Sequence, residues 1–315
     1  MQVWVTGATG FLGRNLVQFL VDKGYDVTVL YRNADKLSHL PQVKAVQGDI
    51  LDPSSLEKCF QGADWVFHVA GEVAWGRNRR KRMFQTNIQG SENVARAACQ
   101  AGVKRFIHTS SAAAIGFSTD SRPVDETFPF NGDTLGIGYA IAKKRGEEAV
   151  LKQIPQGLPA VVVNPGVIIG PGSPSFVSAV AQGRLKVAPP GGINICDVKD
   201  VVAGHVQAAK QGKVGERYIL GGTDLPLTEL FRKIRRAVGG NERIHTLTPF
   251  VARLLASGAE WLVRNRERDP FLPEDLARLA GRSVYYSSAK AERELGYRRT
   301  PLEQTLAHLK EQGYL

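Results

Sequence analysis

Short apolar runs alternate with longer stretches of helical periodicity through the first half of the chain. Val3-Trp4-Val5 reads as a strand. Phe11 to Lys23 then carries Leu12, Leu16, Phe19 and Leu20 at helical spacing, and Gly24 stops it. Val27 to Tyr31 and Lys44 to Gln47 read as the next two strands. Pro53 to Phe60 reads as a short helix with proline in its first turn. The continuous apolar run Trp65 to Val69 is a strand, Arg80 to Ala101 a long helix and Arg105 to Thr109 a further strand. Gly138 to Leu151 is helical, and Ala160 to Val163 is a strand rich in valine. Alternation of this kind predicts an α/β fold: a doubly wound parallel sheet, helices on both faces, right-handed crossovers.

After Pro165 the regularity falls away. Gly and Pro cluster at Gly170 to Pro174 and at Pro189 to Gly192, and Arg217 to Leu220 offers one more strand. From Leu227 the pattern is mostly helical, at Leu227–Val238, Phe250–Arg264, Pro273–Leu279 and Pro301–Gln312. The expected organisation is a nucleotide-binding domain from residues 1–165 plus about 198–222. Residues about 166–197 plus 223–315 would form a smaller C-terminal lobe over its cleft.

Composition narrows the class. The 315 residues suffice for a sizeable core. Hydrophobic residues at 43% and charged residues at 23% exclude a disordered or fibrous chain. The longest nearly unbroken apolar run, Ala160 to Gly170, includes Asn164 and Pro165 and is too short to cross a membrane. Cys59, Cys99 and Cys196 are too few and too scattered for a disulfide framework or a metal site. A reducing, cytoplasmic location is therefore expected, with no metal and no integral membrane segment. The chain opens directly on a strand and a glycine turn, without the pattern of a signal peptide. The net charge of +11 suits a phosphorylated small ligand as well as a polyanion, and does not itself choose between them.

The first turn carries the clearest chemistry. In Thr6-Gly7-Ala8-Thr9-Gly10-Phe11-Leu12-Gly13, three glycines stand between a strand and a helix. They permit a tight turn that brings backbone amides against a pyrophosphate at a helix N-terminus. An acid about 20 residues further on would accept the ribose hydroxyls of NAD(H). Leu30-Tyr31-Arg32-Asn33 holds none, and Arg32 offers a fork suited to a 2′-phosphate, so NADP(H) is expected over NAD(H). Asp49 in Gly48-Asp49-Ile50 is placed to meet adenine, or to cap the following helix.

Tyr139-Ala-Ile-Ala-Lys143 sets a phenol and an ammonium one helical turn apart. A nearby cation would lower the phenol's pKa and let it exchange a proton with a carbonyl or alcohol. Ser111, just past the strand Arg105 to Thr109, could hold the same oxygen. The spacing recurs at Tyr286-Ser-Ser-Ala-Lys290 in the helical tail, so only context favours Tyr139.

Taken together the motifs resemble those of the extended short-chain dehydrogenases/reductases, over nearly the whole chain. The resemblance rests on Thr6 to Gly13, Gly48-Asp49, His68-Val69-Ala70-Gly71, Thr86-Asn87-x-x-Gly90, His108-Thr-Ser-Ser111, Tyr139-x-x-x-Lys143, Asn164-Pro165-Gly166-Val167 and Asp197-Val-x-Asp200. Within that superfamily the chain is most similar to the dihydroflavonol-4-reductase-like branch, which includes a hopanoid-associated sugar epimerase group. The resemblance implies a catalytic set of Ser111, Tyr139 and Lys143, with Asn87 in a supporting proton relay. It implies a cofactor held by Gly7, Thr9, Gly10, Phe11, Leu12, Gly13, Arg32, Asp49, Ile50, Val69, Ala70, Gly71, Tyr139 and Lys143. Pro165, Gly166 and Val167 would line the nicotinamide. It implies a small-molecule carbonyl or alcohol substrate and no nucleic acid. It also implies a homodimer through the helices Arg80–Ala101 and Gly138–Leu151, with Val94, Ala98, Ala142 and Ala149 on their outer faces.

Two departures bear on the reaction. Ala112-Ala113 follow Ser111 where nucleotide-sugar dehydratases place an acid pair, so dehydration loses its catalysts. Arg77-Asn-Arg-Arg-Lys-Arg82 is unusually basic, and reads either as a solvated helix start or as a site for an acidic substrate or partner. His68 and His108 read as packing residues. Phe250–Val263, with Arg264, Arg266 and Arg268 beyond it, reads as a helix covering the substrate pocket, the alternative being a membrane-surface helix. An NADPH-dependent carbonyl reductase leads, ahead of a nucleotide-sugar epimerase. A non-catalytic NADP-sensing regulator stands third, because such proteins usually lack the tyrosine and lysine.

Overall fold

The computed structural model describes residues 1–118, 120–173, 175–263 and 273–315. Its first half alternates as the pattern requires: β1 (Gln2–Thr6), α1 (Phe11–Asp22), β2 (Asp26–Tyr31), β3 (Lys44–Gln47), α2 (Pro53–Leu56), β4 (Trp65–His68), α3 (Arg80–Phe84), α4 (Ser91–Gln100) and β5 (Arg105–Thr109). Then come α5 (Gly132–Leu135), α6 (Gly138–Leu151) and β6 (Ala160–Pro165). The second half holds β7 (Val167–Ile169), α7 (Ser175–Ala181), β8 (Val187–Ala188), β9 (Gly192–Asp197), α8 (Val198–Gln211), β10 (Arg217–Leu220), β11 (Thr223–Pro226), α9 (Leu227–Ala237) and β12 (His245–Thr246). The chain ends through α10 (Pro249–Val263), α11 (Glu274–Arg278), α12 (Ala289–Leu295) and α13 (Leu302–Glu311).

The main sheet has the order β10-β6-β5-β4-β1-β2-β3, with every pairing parallel. This is the doubly wound Rossmann arrangement. From β1 the chain steps to β2 and β3 on one side, then crosses to β4 on the other. The switch between β1 and β4 opens a cleft beyond the strands' carboxyl ends, where ligands bind in such sheets. Thr6 and His68 are register partners at that edge.

Strand alternation explains the two layers of core. Val3, Val5, Val27 and Val29 pack with Leu16, Val17 and Leu20 of α1. Trp4, Leu30, Val66 and Phe106 point the other way, onto Leu56, Phe60, Val94 and Ala98. Each of the larger side chains buried so contributes about 1.5–3 kcal/mol. Val94, Ala98 and Ala142 are fully buried within the single chain, and Ala149 is half-buried. The first three therefore belong to the core of the chain and not to an outer face, because α4 lies against both α2 and α6.

The long helix from Arg80 is not regular. A π-turn at Gln85–Gly90 joins α3 to α4. It contains Asn87, and turns of this kind concentrate at functional sites. A Cβ on Gly146 of α6 would fall 2.3 Å from the Asn87 carbonyl oxygen, so glycine there lets the two helices close on the turn.

A second sheet of order β11-β9-β7 and a short β12-β8 pair carry the rest of the chain. No helix among the described residues is long and apolar enough to cross a membrane. Arg264, Arg266 and Arg268 lie outside the described residues, as does Pro174. α10 packs against α11; among its described side chains none lines the cavity described below, and Phe250 and Leu254 face outward.

Candidate active site

A cavity of about 610 Å³ opens at the switch point. One wall is the glycine turn. Gly7 has φ +71°, and a Cβ there would lie 2.5 Å from the Ala70 amide nitrogen. A Cβ on Gly13 would lie 2.1 Å from the Gly7 carbonyl oxygen. Any side chain would therefore fill the cradle or force it apart. Gly10 caps α1 without a side-chain acceptor, which leaves the helix's first amides available to an anion. These features fit the pyrophosphate of a dinucleotide.

Further along this wall, Arg32 and Asp49 face one another at 3.9 Å. Asp49 Oδ1 accepts the Leu51 amide at 3.0 Å, so the turn uses part of the carboxylate and part still faces the cavity. Ile50, Val69, Ala70 and Gly71 line the same space, as do Thr9, Phe11 and Leu12. Pro165 and Gly166 line it too. Val167 does not: it starts β7 exposed to solvent, and the next residue, Ile168, lines the cavity instead.

Opposite stand Ser111, Tyr139 and Lys143. Ser111 lies two residues past β5, and its Oγ accepts the Ala113 amide at 3.2 Å, capping a short 3₁₀ turn. Tyr139 is in the first turn of α6, with Lys143 one turn on. Burial raises the Tyr139 pKa, while the nearby Ser111 hydroxyl pulls it down. The sequence-based expectation of a lowered pKa is therefore reversed for the protein's own groups, because desolvation of the phenolate outweighs the hydrogen bond. Burial also lowers Lys143, to about 8, against the opposing pull of Glu147. The Lys143 ammonium donates to the Thr109 carbonyl at 2.7 Å, which fixes its height in the cleft.

The Asn87 side chain serves the backbone of a neighbouring loop. Its amide clamps the Glu72 backbone, accepting from the Glu72 N–H and donating to the Glu72 carbonyl, both at 2.8 Å. It holds the loop after β4 and does not itself line the cavity. His68 is wholly buried, bridging Thr6 Oγ1 at 2.7 Å and Ser91 Oγ at 3.0 Å, and burial lowers it to about 3. His108 stacks on it with ring centroids 5.4 Å apart. Both are neutral packing groups.

The second Y-x-x-x-K copy separates. Tyr286 pairs with Val124 as an isolated β-bridge, and α12 starts only at Ala289, so Tyr286 and Lys290 share no helical turn. The Tyr286 hydroxyl donates to the Gly116 carbonyl at 3.0 Å.

Three contributors were not legible in the sequence. The Trp75 ring lies 4.8 Å from that of Tyr139, beside the phenol. Glu72 joins the cavity lining and pairs with Arg79 at 2.7 Å and Arg82 at 3.3 Å, which accounts for two of the five basic residues of that segment. Glu147 is fully buried one turn beyond Lys143. It accepts from Asn164 Nδ2 at 2.5 Å and meets Arg217 Nε at 3.0 Å, and the same Asn164 nitrogen holds the Ser111 carbonyl at 3.0 Å. Only its spacing from Lys143 could have drawn attention to it.

Known proteins share this geometry and sequence. The profile of the NAD dependent epimerase/dehydratase family matches residues 3–221. A Synechocystis protein provisionally named dihydroflavonol 4-reductase is 32% identical, over 96% of this chain and 92% of its own. The 2-alkyl-3-oxoalkanoate reductase of Stenotrophomonas maltophilia is 29% identical, over 98% of each chain. The crystal structure of the protein gox2253 superimposes with a TM-score of 0.84 at 31% identity, covering 99% of both chains.

Proposed function

The chain belongs to the NAD-dependent epimerase/dehydratase family, and on that premise we propose that it is an NADPH-dependent reductase of a ketone or aldehyde. It is an NAD(P)-dependent oxidoreductase of the extended short-chain type; the direction, the phosphorylated cofactor and the residue roles are the proposal. The carrying observation is that Ser111, Tyr139 and Lys143 face the glycine turn across one cavity.

When bound, the cofactor supplies a hydride. The glycine turn and the α1 N-terminus hold its pyrophosphate, and Arg32 grips the 2′-phosphate. Ser111 holds the substrate oxygen, and Tyr139 gives that oxygen its proton. Lys143, kept charged below about pH 8, stabilises the phenolate left behind. The raised pKa of Tyr139 suits this direction, since it keeps the phenol protonated and ready to donate. Residues about 166–197 and 223–315 form the substrate lobe beside the cleft, and the protein acts as a homodimer. The relatives named above are themselves described as reductases, which supports the direction.

The test is a panel of ketones and aldehydes, read by loss of NADPH absorbance. Turnover of at least one carbonyl with NADPH preferred over NADH is the expected result. Net epimerisation of a nucleotide sugar without cofactor consumption would replace this reading by the epimerase.

A further inference from the structure

Two further residues of the basic segment, Arg77 and Arg80, lead to the start of the catalytic helix. α6 begins at Gly138, one residue before Tyr139, and its own N-cap is Ile137, which has no side-chain acceptor. The first amides of a helix need an acceptor from elsewhere. Gly138 N–H finds one in Asp275 Oδ2 at 2.8 Å, on α11 and 137 positions away in sequence. Asp275 is only 3% exposed. Arg80 Nη2 donates to both of its oxygens, at 2.8 and 3.1 Å.

The same helix grips the preceding turn. Arg278 Nη1 donates to the Gly136 carbonyl at 3.0 Å, and Glu274 accepts from Arg278 and from Arg77, each at 2.7 Å. The two glycines are what this clamp requires. A Cβ on Gly138 would lie 2.6 Å from Arg80 Nε, and one on Gly136, at φ +66°, would lie 2.2 Å from Arg278 Nη1.

We propose that Asp275, held in place by Arg80, is the N-cap of the catalytic helix and the positioning residue for Tyr139. The carboxylate satisfies an orphan amide and meets the positive end of the helix in a shielded site. Tyr139 sits in the turn so capped. Lys143 is anchored separately by the Thr109 carbonyl, so loss of the cap moves the phenol relative to the ammonium and to Ser111. Arg77 and Arg80 thus tie α11 to the site. The consequence for turnover rests on Tyr139 being the proton donor, whereas the cap itself does not.

The experiment compares Asp275→Ala with Asp275→Asn, because asparagine keeps a carbonyl acceptor for the Gly138 amide whereas alanine keeps none. Hydrogen exchange by mass spectrometry reads peptides spanning 136–143. The alanine variant should exchange about two- to thirtyfold faster there, the range a lost cap gives, with α1 and α8 unchanged. Its kcat for a panel carbonyl should fall by a similar factor with NADPH affinity within about twofold, and the asparagine variant, which keeps one acceptor oxygen for the Gly138 amide but gives up the ion pair with Arg80, should recover part of both. Unchanged protection of 136–143 in the alanine variant overturns the proposal. So does an equal loss of NADPH affinity and turnover in both variants, which marks Asp275 as a general stability residue. If the wild type reduces no carbonyl while the alanine variant still loses first-turn protection, the cap stands and the reductase reading falls.

Discussion

Replacing Arg32 by alanine should change the cofactor preference and little else. The side chain is 60% exposed and its nearest counter-ion, Asp49, is 3.9 Å away. A charge-assisted contact to a phosphate is worth roughly 1.5–3 kcal/mol when shielded. Solvent exposure reduces that to about 1–2 kcal/mol. At about 1.4 kcal/mol per factor of ten, NADPH should bind about five- to thirtyfold more weakly to the variant. Removing Arg32 also leaves the Asp49 carboxylate without its counter-ion, which opposes a 2′-phosphate and can accept a ribose hydroxyl. NADH should therefore bind within about twofold of wild type, or slightly better. The assay is a titration of cofactor fluorescence with each nucleotide, repeated at higher salt. The wild-type preference should shrink with salt, because the contact is exposed. Equal weakening of both cofactors would show that Arg32 supports the fold of the turn and does not read the phosphate. Tighter binding of NADH than of NADPH by the wild type would refute the assignment outright.

Tyr139→Phe should lower the rate of carbonyl reduction by about 10²–10⁴-fold with NADPH affinity nearly unchanged, as kinetics and titration would show. Tyr286→Phe loses a buried hydrogen bond and should cost about 1 kcal/mol in a denaturation experiment, with turnover within about twofold of wild type. A larger loss of rate from Tyr286→Phe than from Tyr139→Phe would reverse the site assignment. The Lys143 ammonium is present below its lowered pKa of about 8 and lost above it, so the reduction rate should decline as the pH rises through about 8. A pH–rate profile flat to pH 10 would contradict that role. Gly13→Ala puts a methyl 2.1 Å from the Gly7 carbonyl and should abolish cofactor binding by fluorescence titration. Light scattering at micromolar concentration should give a dimer, and a monomer would remove the assembly from the account.

The glycine turn and the Tyr139–Lys143 pair are legible in the sequence because each is contiguous or one helical turn long, so spacing alone fixes the geometry. The sheet is legible because β1, β4 and β6 carry the short apolar runs Val3–Val5, Trp65–Phe67 and Ala160–Val163, buried on both faces. Sequence misleads where a residue's neighbours come from elsewhere. Val167 and Ile168 are adjacent and both apolar, and strand phase decides that Ile168 faces the cavity. Val94 and Ala98 read as an outer face because nothing local shows that α2 and α6 cover α4. The clamp that the Asn87 side chain makes on the Glu72 backbone is not shown by the sequence, because the loop at Glu72 takes both ends of its amide. The meaning of Arg77 and Arg80 is hidden for the same reason. The partners Glu274 and Asp275 stand almost 200 positions further along.

The most direct test of the central claim follows the hydride itself. With the first carbonyl that the panel yields, NADPH deuterated at the transferable position is incubated with the enzyme and the product is examined by mass spectrometry. The account predicts one deuterium at the former carbonyl carbon and one NADPH consumed per alcohol formed. It predicts that Tyr139→Phe slows this transfer without changing where the label goes. Product formed without net NADPH oxidation, or without the label, would contradict it.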